Sequence, residues 1–321
     1  MNPMPAPSLF KIPPSRLTLG TVQFGIDYGI ANRTGKPSLD TVCEIVREAY
    51  HGGVDTLDTA AAYGQSEEVL GLALRQIGLA DKIRVVTKVA AMPADLSKGE
   101  AAARIEASVV KSLKLLNLQQ LPLCLFHRQE SLIYTDELLA LRDRGLIEAA
   151  GVSLINGDGA KAALKFPELK AWQVPSNLLD RRFTHTGLTE AAHQAGKLVF
   201  VRSTYLQGLL VMDDAAVPKH LHEAVTARRP FRDLADRIGI PHRELALRAM
   251  LSRPDLSALV VGVETVGQMK DNLALFAKGA LSADIMAQVN AIVPQVSHYL
   301  INPFEWEKIV PPREVVGSKK V

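Results

Sequence analysis

The chain is predicted to fold as a single-domain α/β protein, a (β/α)8 TIM barrel, on three observations. Short apolar runs rich in Val, Ile and Leu recur eight times, amphipathic segments separate them, and polar residues close many of the runs. Strands buried on both faces read as continuous apolar stretches, and their alternation with helices points to a parallel sheet. Eight such units are the number that closes into a barrel.

The strands are expected at 17–21 (LTLGT), 54–58 (VDTLD), 83–88 (IRVVTK), 121–127 (LPLCLFH), 147–153 (IEAAGVS), 169–174 (LKAWQV), 197–203 (KLVFVRS) and 256–262 (LSALVVG). Helices are expected in stretches such as TVCEIVREAYHGG, SEEVLGLALRQIG, GEAAARIEASVVKSLKLLNL and YTDELLALRDRG, whose apolar residues fall at i, i+3 and i+4. Ser66 ahead of two glutamates reads as a helix start, and Gly52-Gly53 and Gly145 read as stops. The interval from Ser203 to Leu256 is the longest, and its Pro-punctuated first part, roughly 204–240, is expected to be a long loop after the seventh strand, of the kind that is functional or disordered. A last helix is expected over 281–297. The resulting division is an N-terminal Pro-rich tail at 1–16, a barrel at 17–298 and a C-terminal tail at 299–321, with no linker to a second domain.

Composition excludes several functions. Among 321 residues, 47% are hydrophobic and 22% charged, with a net charge of +3, which is ordinary globular usage. Lys and Arg are spread along the chain rather than gathered into a basic run, so no nucleic-acid partner is expected. Cys43 and Cys124 lie far apart without CxxC spacing, which indicates neither a disulfide framework nor a zinc site. His220 and His222 share a His-x-His spacing that points the two rings apart on a helix, so no metal is expected. Prolines at 3, 5, 7, 13 and 14 break up the N-terminus, which therefore lacks the apolar core of a signal peptide. No run reaches the roughly 18 apolar residues that span a bilayer. A cytoplasmic location without membrane contact is the expectation, and oligomeric state is left open.

In a barrel of parallel strands, chemistry belongs to the C-terminal rim, so the polar residues that end strands are the candidates. They are Asp58, Lys88, His127, Ser153, Gln173, Arg202 and Ser203. Each alone has a bland explanation: a turn cap for Asp58, a solvated strand end for Lys88, a packed loop aromatic for Tyr63, a structural imidazole for His127. Together they can work on a carbonyl. Asp58 would hold Lys88, and an ammonium beside Tyr63 would favour the phenolate and lower the phenol's pKa from about 10. His127 could donate to a substrate oxygen and aim it at Tyr63, which then serves as general acid.

From Leu17 to about Gly279 the chain resembles the aldo-keto reductase superfamily. The resemblance is carried by LGTVQFG (19–25), GGVDTLDTAAAYGQSEEVLG (52–71), VVTK (85–88), LFH (125–127), GVS (151–153), QVPSNLLDRR (173–182), LQGLL (206–210) and VVGVETVGQMKDN (260–272). It implies a catalytic tetrad of Asp58, Tyr63, Lys88 and His127, hydride transfer from a nicotinamide cofactor to a carbonyl carbon, and no metal. It also implies cofactor contacts at Gly20, Thr21 and Asp58, at Ser153 and Gln173 for the carboxamide, and at Ser203, Leu206 and Gly208 after the seventh strand. Gly262, Gln268, Asp271 and Asn272 would meet the adenosine end, and Asn177 matches a family Asn with a structural role.

Four positions depart from the family pattern. Leu154 replaces an Asn that often follows the Ser. Arg202 replaces a Tyr that stacks on the nicotinamide in many members; a planar guanidinium could stack in its place, or bind an acidic substrate group or the pyrophosphate. Gly262 and Gln268 replace a Lys and an Arg that hold the 2′-phosphate, while Glu264 adds a negative charge and Lys270 could partly compensate. NADPH is expected from the family, with NADH possible.

The substrate is expected to be a small carbonyl compound, sugar-like or otherwise polar, meeting Gln23, Tyr63, His127 and Arg128. Two alternatives accompany this reading: the same tetrad run in reverse as a sugar or alcohol dehydrogenase, and a regulatory protein that binds the cofactor with little turnover.

Overall fold

Eight parallel strands hydrogen-bond in chain order and close on themselves, β8 pairing with β1. The computed structural model describes residues 14–93 and 95–306. Its strands are β1 (Leu17–Gly20), β2 (Thr56–Asp58), β3 (Arg84–Val89), β4 (Leu123–Phe126), β5 (Ala150–Ser153), β6 (Leu169–Pro175), β7 (Leu198–Arg202) and β8 (Ala258–Gly262). The barrel expected from the apolar runs is the barrel found. Several strands are shorter at their starts than the runs suggested; before β4 and β5, for example, Leu121 and Ile147 pair only as an isolated bridge.

The helices are α1 (Val22–Gly25), α2 (Leu39–His51), α3 (Ser66–Gln76), α4 (Lys98–Leu116), α5 (Thr135–Asp143), α6 (Gly157–Ala163), α7 (Leu188–Gln194), α8 (Glu223–Arg237), α9 (His242–Leu251), α10 (Val266–Ala277) and α11 (Ala283–Ala291). Helix α4 shows why these segments start and stop where they do. Ser97 and Glu100 form a reciprocal capping box at its start, and Asn117 ends it in the left-handed conformation that satisfies the last carbonyls.

The core has two parts. The larger one fills the space between barrel and helices, and a smaller one of Val86, Leu123, Leu125, Ala149, Ala171, Phe200 and Ala258 fills the barrel's interior. The interior is thus packed with side chains, as expected for eight strands.

Two expectations about the C-terminal third are corrected. The segment 204–240 is not a loop throughout: short 3-10 turns occupy it as far as Leu221, and α8 begins at Glu223. The polar composition and Pro230 argued for a loop, because an interior proline costs roughly 3 kcal/mol. The helix forms because Ala224, Phe231, Leu234 and Ala235 bury one face, and Arg228, 2% exposed, donates to the carbonyl of Leu209 and pairs with Asp214 at 2.5 Å. The helix expected over 281–297 is confined to Ala283–Ala291, capped by Ser282. Pro294 disfavours helical backbone at the residue before it.

The ends of the domain are tied in beyond the expected barrel limits. Ser15 donates its N–H to Asp55 Oδ1 at 3.0 Å, and Arg16 donates to the carbonyls of Leu256 and Leu251. At the other end Leu300 is fully buried, and Trp306 donates Nε1–H to the carbonyl of Tyr299 at 2.9 Å. Most of the Pro-rich N-terminal segment, and the polar residues after Trp306, lie outside the described residues. Among the described residues no helix is long and apolar enough to cross a membrane, and no cluster of side chains could hold a metal ion.

Candidate active site

Asp58 ends β2 opposite Val86 of β3, and Lys88, two residues further along and the penultimate residue of β3, presents its side chain on the same face. The Lys88 ammonium donates to both carboxylate oxygens, at 2.9 and 2.8 Å, and to the carbonyl of Thr59 at 2.8 Å. Both side chains are nearly inaccessible. Burial by itself pushes the Lys88 pKa down, but the charge of Asp58, with help from Tyr63, leaves it above the ordinary lysine value.

Tyr63 arrives on the turn after β2, with its ring centroid 5.0 Å from Lys88 Nζ. Two devices fix that turn. Gly25 has no Cβ, and a methyl there would fall 1.7 Å from the carbonyl oxygen of Tyr63. Ser66 receives the other side: its N–H donates to that same carbonyl at 3.0 Å, while its hydroxyl meets Thr21 Oγ1 at 2.8 Å and Thr59 Oγ1 at 3.0 Å. Ser66 was expected to cap a helix. It is instead the first residue of α3, wholly buried, because its hydroxyl bonds better across the barrel rim than to its own helix. Neighbouring Glu67, also buried, accepts from Thr87 Oγ1 at 2.6 Å. Sequence reasoning missed this hydroxyl network; the sole signal was a polar residue following the Tyr-Gly pair.

His127 follows the last residue of β4 and meets Tyr63 edge to face, with ring centroids 5.7 Å apart and planes at 85°. Its Nδ1 is buried without a partner. Burial, then the positive charges of Lys88, Arg202 and Arg128, push its pKa down to about 3. The ring is therefore a neutral imidazole across the physiological range. Since its folded value lies below its unfolded value near 6.5, acidification protonates the unfolded chain first, and stability is lost as pH falls from about 6.5 towards 3. Nitrogen chemical shifts of His127 should show a neutral ring from pH 8 down to pH ~4; a transition near 6 would contradict this environment.

A cavity of about 1010 Å³ opens over these groups at the C-terminal ends of the strands. Gly20, Thr21 and Asp58 line it on one side, and Ser153 and Gln173, directly paired in the β5–β6 register, on the other. Gln173 donates Nε2–H to Asp58 Oδ1 at 2.7 Å, while its Oε1 is buried without a partner. A buried amide oxygen lacking a donor is costly, and the carboxamide N–H of a nicotinamide would satisfy it. The residues present therefore fit such a cofactor.

After β7 the chain turns through left-handed backbone at Ser203, Leu206, Gln207 and Gly208. Asn177 clamps the turn, donating to the carbonyl of Ser203 at 3.1 Å while its Oδ1 accepts from the N–H groups of Leu179 and Asp180. Ser203 and Gly208 line the cavity, whereas the side chain of Leu206 is buried in the core. Gly208 is required because a Cβ there would lie 2.3 Å from that of Ala31.

At the adenosine end expected from the family, Gly262, Gln268 and Asn272 line the cavity and Asp271 does not. Gln23, expected to meet substrate, lines the cavity on this side: its amide packs against Gly262 and donates to Glu264 Oε1 at 3.4 Å. The Glu264 N–H is taken by Gln268 Oε1 at 2.7 Å. Lys270, expected to offer compensating charge, faces Glu48 at 3.9 Å and does not line the cavity. Sequence reasoning missed Arg243, which α9 brings here from outside every motif. It donates to Asp271 at 3.2 Å and Asn272 at 2.7 Å, over the ring of Tyr205.

A closed barrel carries a buried carboxylate–ammonium pair, a phenol and an imidazole at its mouth, groups suited to moving a proton at a substrate oxygen. The model of the aldo/keto reductase family matches residues 16–294, and the chain belongs to that family. It is 31% identical over 185 residues to the aldo-keto reductase YhdN of Bacillus subtilis (strain 168), a match spanning 55% of this chain and 54% of that protein. It is 24% identical over 298 residues to an NADH-specific methylglyoxal reductase of Escherichia coli (strain K12), covering 81% of this chain and 89% of the relative. In fold it is similar to a glycerol dehydrogenase from Gluconobacter oxydans, with TM-score 0.70, 24% identity, and 87% and 91% of the two chains covered. It is equally similar to the holo form of an aldo-keto reductase from Bacillus halodurans, with TM-score 0.70, 22% identity, and 90% and 96% covered.

Proposed function

We propose that the protein is a nicotinamide-dependent carbonyl reductase in which Tyr63 protonates the carbonyl oxygen. The observation that carries this reading is the placement of Tyr63 between the ring edge of His127 and a Lys88 ammonium locked onto Asp58. When bound, the cofactor supplies the hydride. The protein's own groups do the rest. Neutral His127 donates an N–H to the carbonyl oxygen and holds it against the Tyr63 hydroxyl. As charge develops on that oxygen, the Tyr63 O–H breaks and its proton passes to the nascent alkoxide, leaving a phenolate. Lys88, unable to leave Asp58, stabilises the phenolate at short range in a poorly solvated site, where such preorganised charge acts most strongly. Ser153 and the unpartnered Gln173 oxygen orient the carboxamide. The test is reduction of a panel of aldehydes, ketones and sugars with both cofactors, alongside the Tyr63 variant described in the Discussion.

For the cofactor, the adenosine end supports NADH rather than the family's NADPH. A 2′-phosphate seeks charge-assisted donors. Here the Glu264 N–H is already bonded, the Glu264 carboxylate stands in the cavity, and Arg243 is held by Asp271 and Asn272. The similar Escherichia coli protein is named NADH-specific. Fluorescence titration should give a lower Kd for NADH than for NADPH, and Glu264→Gln should narrow the gap by several-fold as a charge facing the phosphate is removed. A Kd for NADPH tenfold below that for NADH would overturn this choice.

A further inference from the structure

Arg202 ends β7 in the middle of the cavity wall. Its Nη2 reaches to the carbonyl of Leu154, past the end of β5, at 3.3 Å, and its guanidinium carbon lies 5.9 Å from the ring of Phe304. Among the described residues no carboxylate comes within ion-pair distance of it. The carboxylates lining the cavity are committed elsewhere: Asp58 to Lys88 and Gln173, Glu305 to Asn302 and His298, and Glu264 stands at the adenosine end beside Gln23. The guanidinium is sheltered enough that burial lowers its pKa, and its charge is felt by Tyr63, Tyr28 and His127. The nearby carboxylate whose charge it feels, Asp180, is already held by Arg182 at 2.8 Å, so this sheltered, always-charged fork keeps one long hydrogen bond and no ion pair of its own, which is costly. The cost is offset if an anion arrives with the ligand.

We propose that Arg202 is the anion anchor of the substrate, and that the carbonyl compound reduced here carries a carboxylate or phosphate near its reacting carbon. This rests on the carbonyl-reductase reading and names its substrate class. The geometry is a two-point grip. His127 and Tyr63 take the carbonyl oxygen on the β2–β4 side of the mouth, and Arg202 takes the oxyanion from the β7 side, with a planar fork matched to two acceptor oxygens. Exposed Arg128, next to His127 and on the cavity wall, adds positive potential at the entrance. Stacking of Arg202 on the nicotinamide is the weaker use of the same charge. The ring becomes cationic when it gives up its hydride, so a guanidinium against it would penalise the product complex, and Phe304 already stands over the group.

The test has a binding arm and a kinetic arm. Malonate, oxamate and inorganic phosphate are titrated by calorimetry into the NADH-saturated protein and its Arg202→Ala and Arg202→Lys variants. At least one of the three anions should bind the wild type and weaken about tenfold or more in Arg202→Ala, with partial recovery in Arg202→Lys, as loss of a charge-assisted contact demands. The malonate and phosphate arms separate a carboxylate from a phosphate ligand. Initial rates are then compared for glyoxylate against glycolaldehyde, succinic semialdehyde against butyraldehyde, and glyceraldehyde 3-phosphate against glyceraldehyde. The wild type should favour the anionic member of at least one pair, and Arg202→Ala should reduce that preference about tenfold or more through KM. Equal losses on both members of every pair, or absence of anion binding to the wild type, would overturn the proposal. If no carbonyl of either kind is reduced, the reductase reading fails, while the calorimetric arm still reports on the anchor.

Discussion

Replacing Tyr63 by Phe should lower kcat/KM for carbonyl reduction about 10²–10⁴-fold, the range associated with losing a positioned general acid. Phe keeps the ring that packs against His127 and Lys88 and removes only the hydroxyl. The loss should therefore fall on kcat, with little change in the dissociation constant of the reduced cofactor or in melting temperature. Stopped-flow measurement of the hydride-transfer step separates this from a slow release step. Full activity in the variant would sink the assignment of Tyr63 as proton donor and, with it, the mechanism.

The second large effect belongs to Lys88→Met, which should damage both stability and turnover. Removing the ammonium leaves Asp58, 3% exposed, as a buried carboxylate whose remaining side-chain partner is the Gln173 amide. Breaking one side of a buried pair costs roughly 3–5 kcal/mol. The double variant Asp58→Asn with Lys88→Met removes the stranded charge and should recover part of the stability while remaining inactive, because the phenolate loses its neighbour. Urea denaturation of wild type, both single variants and the double variant gives the coupling energy directly. Independent, additive losses would show that the two charges do not act as a unit. The pH dependence has a definite sign. With the Lys88 folded value raised above an unfolded value of about 10.4, the lysine's contribution is fully present at neutral pH and is lost as pH rises through the folded value.

The strands and the order of their polar ends were legible because both are local. An apolar run shows itself over five residues, and parallel pairing then converts run ends such as Asp58, Lys88 and His127 into neighbours without further information. What could not be read was direction and distance across the barrel. Gln23 sits in the short helix α1 beside the site, yet its side chain turns to Gly262, where the missing Cβ leaves room for it. Arg243 comes from a helix with no motif, and only the packing of α9 against α10 brings it to Asp271 and Asn272. Ser66 and Glu67 are polar residues in a helix start, where capping is the ordinary explanation, and burial by tertiary contacts gave them other partners. Helix α8 escaped notice because a polar stretch with a proline was weighed by propensity, whereas one sparse apolar face and an arginine clamp decide it.

The apolar plug inside the barrel has a consequence for isotope exchange. Val86, Leu123, Leu125, Ala149, Ala171, Phe200 and Ala258 line the barrel's interior, while the cavity opens at the C-terminal strand ends. Hydrons on the Lys88 ammonium and the Tyr63 hydroxyl can then trade with bulk water only from above, through the opening that cofactor and substrate cover. The site behaves as a vessel stoppered from one end, so under the proposed mechanism a deuteron loaded onto the phenol before closure would be the one delivered to product.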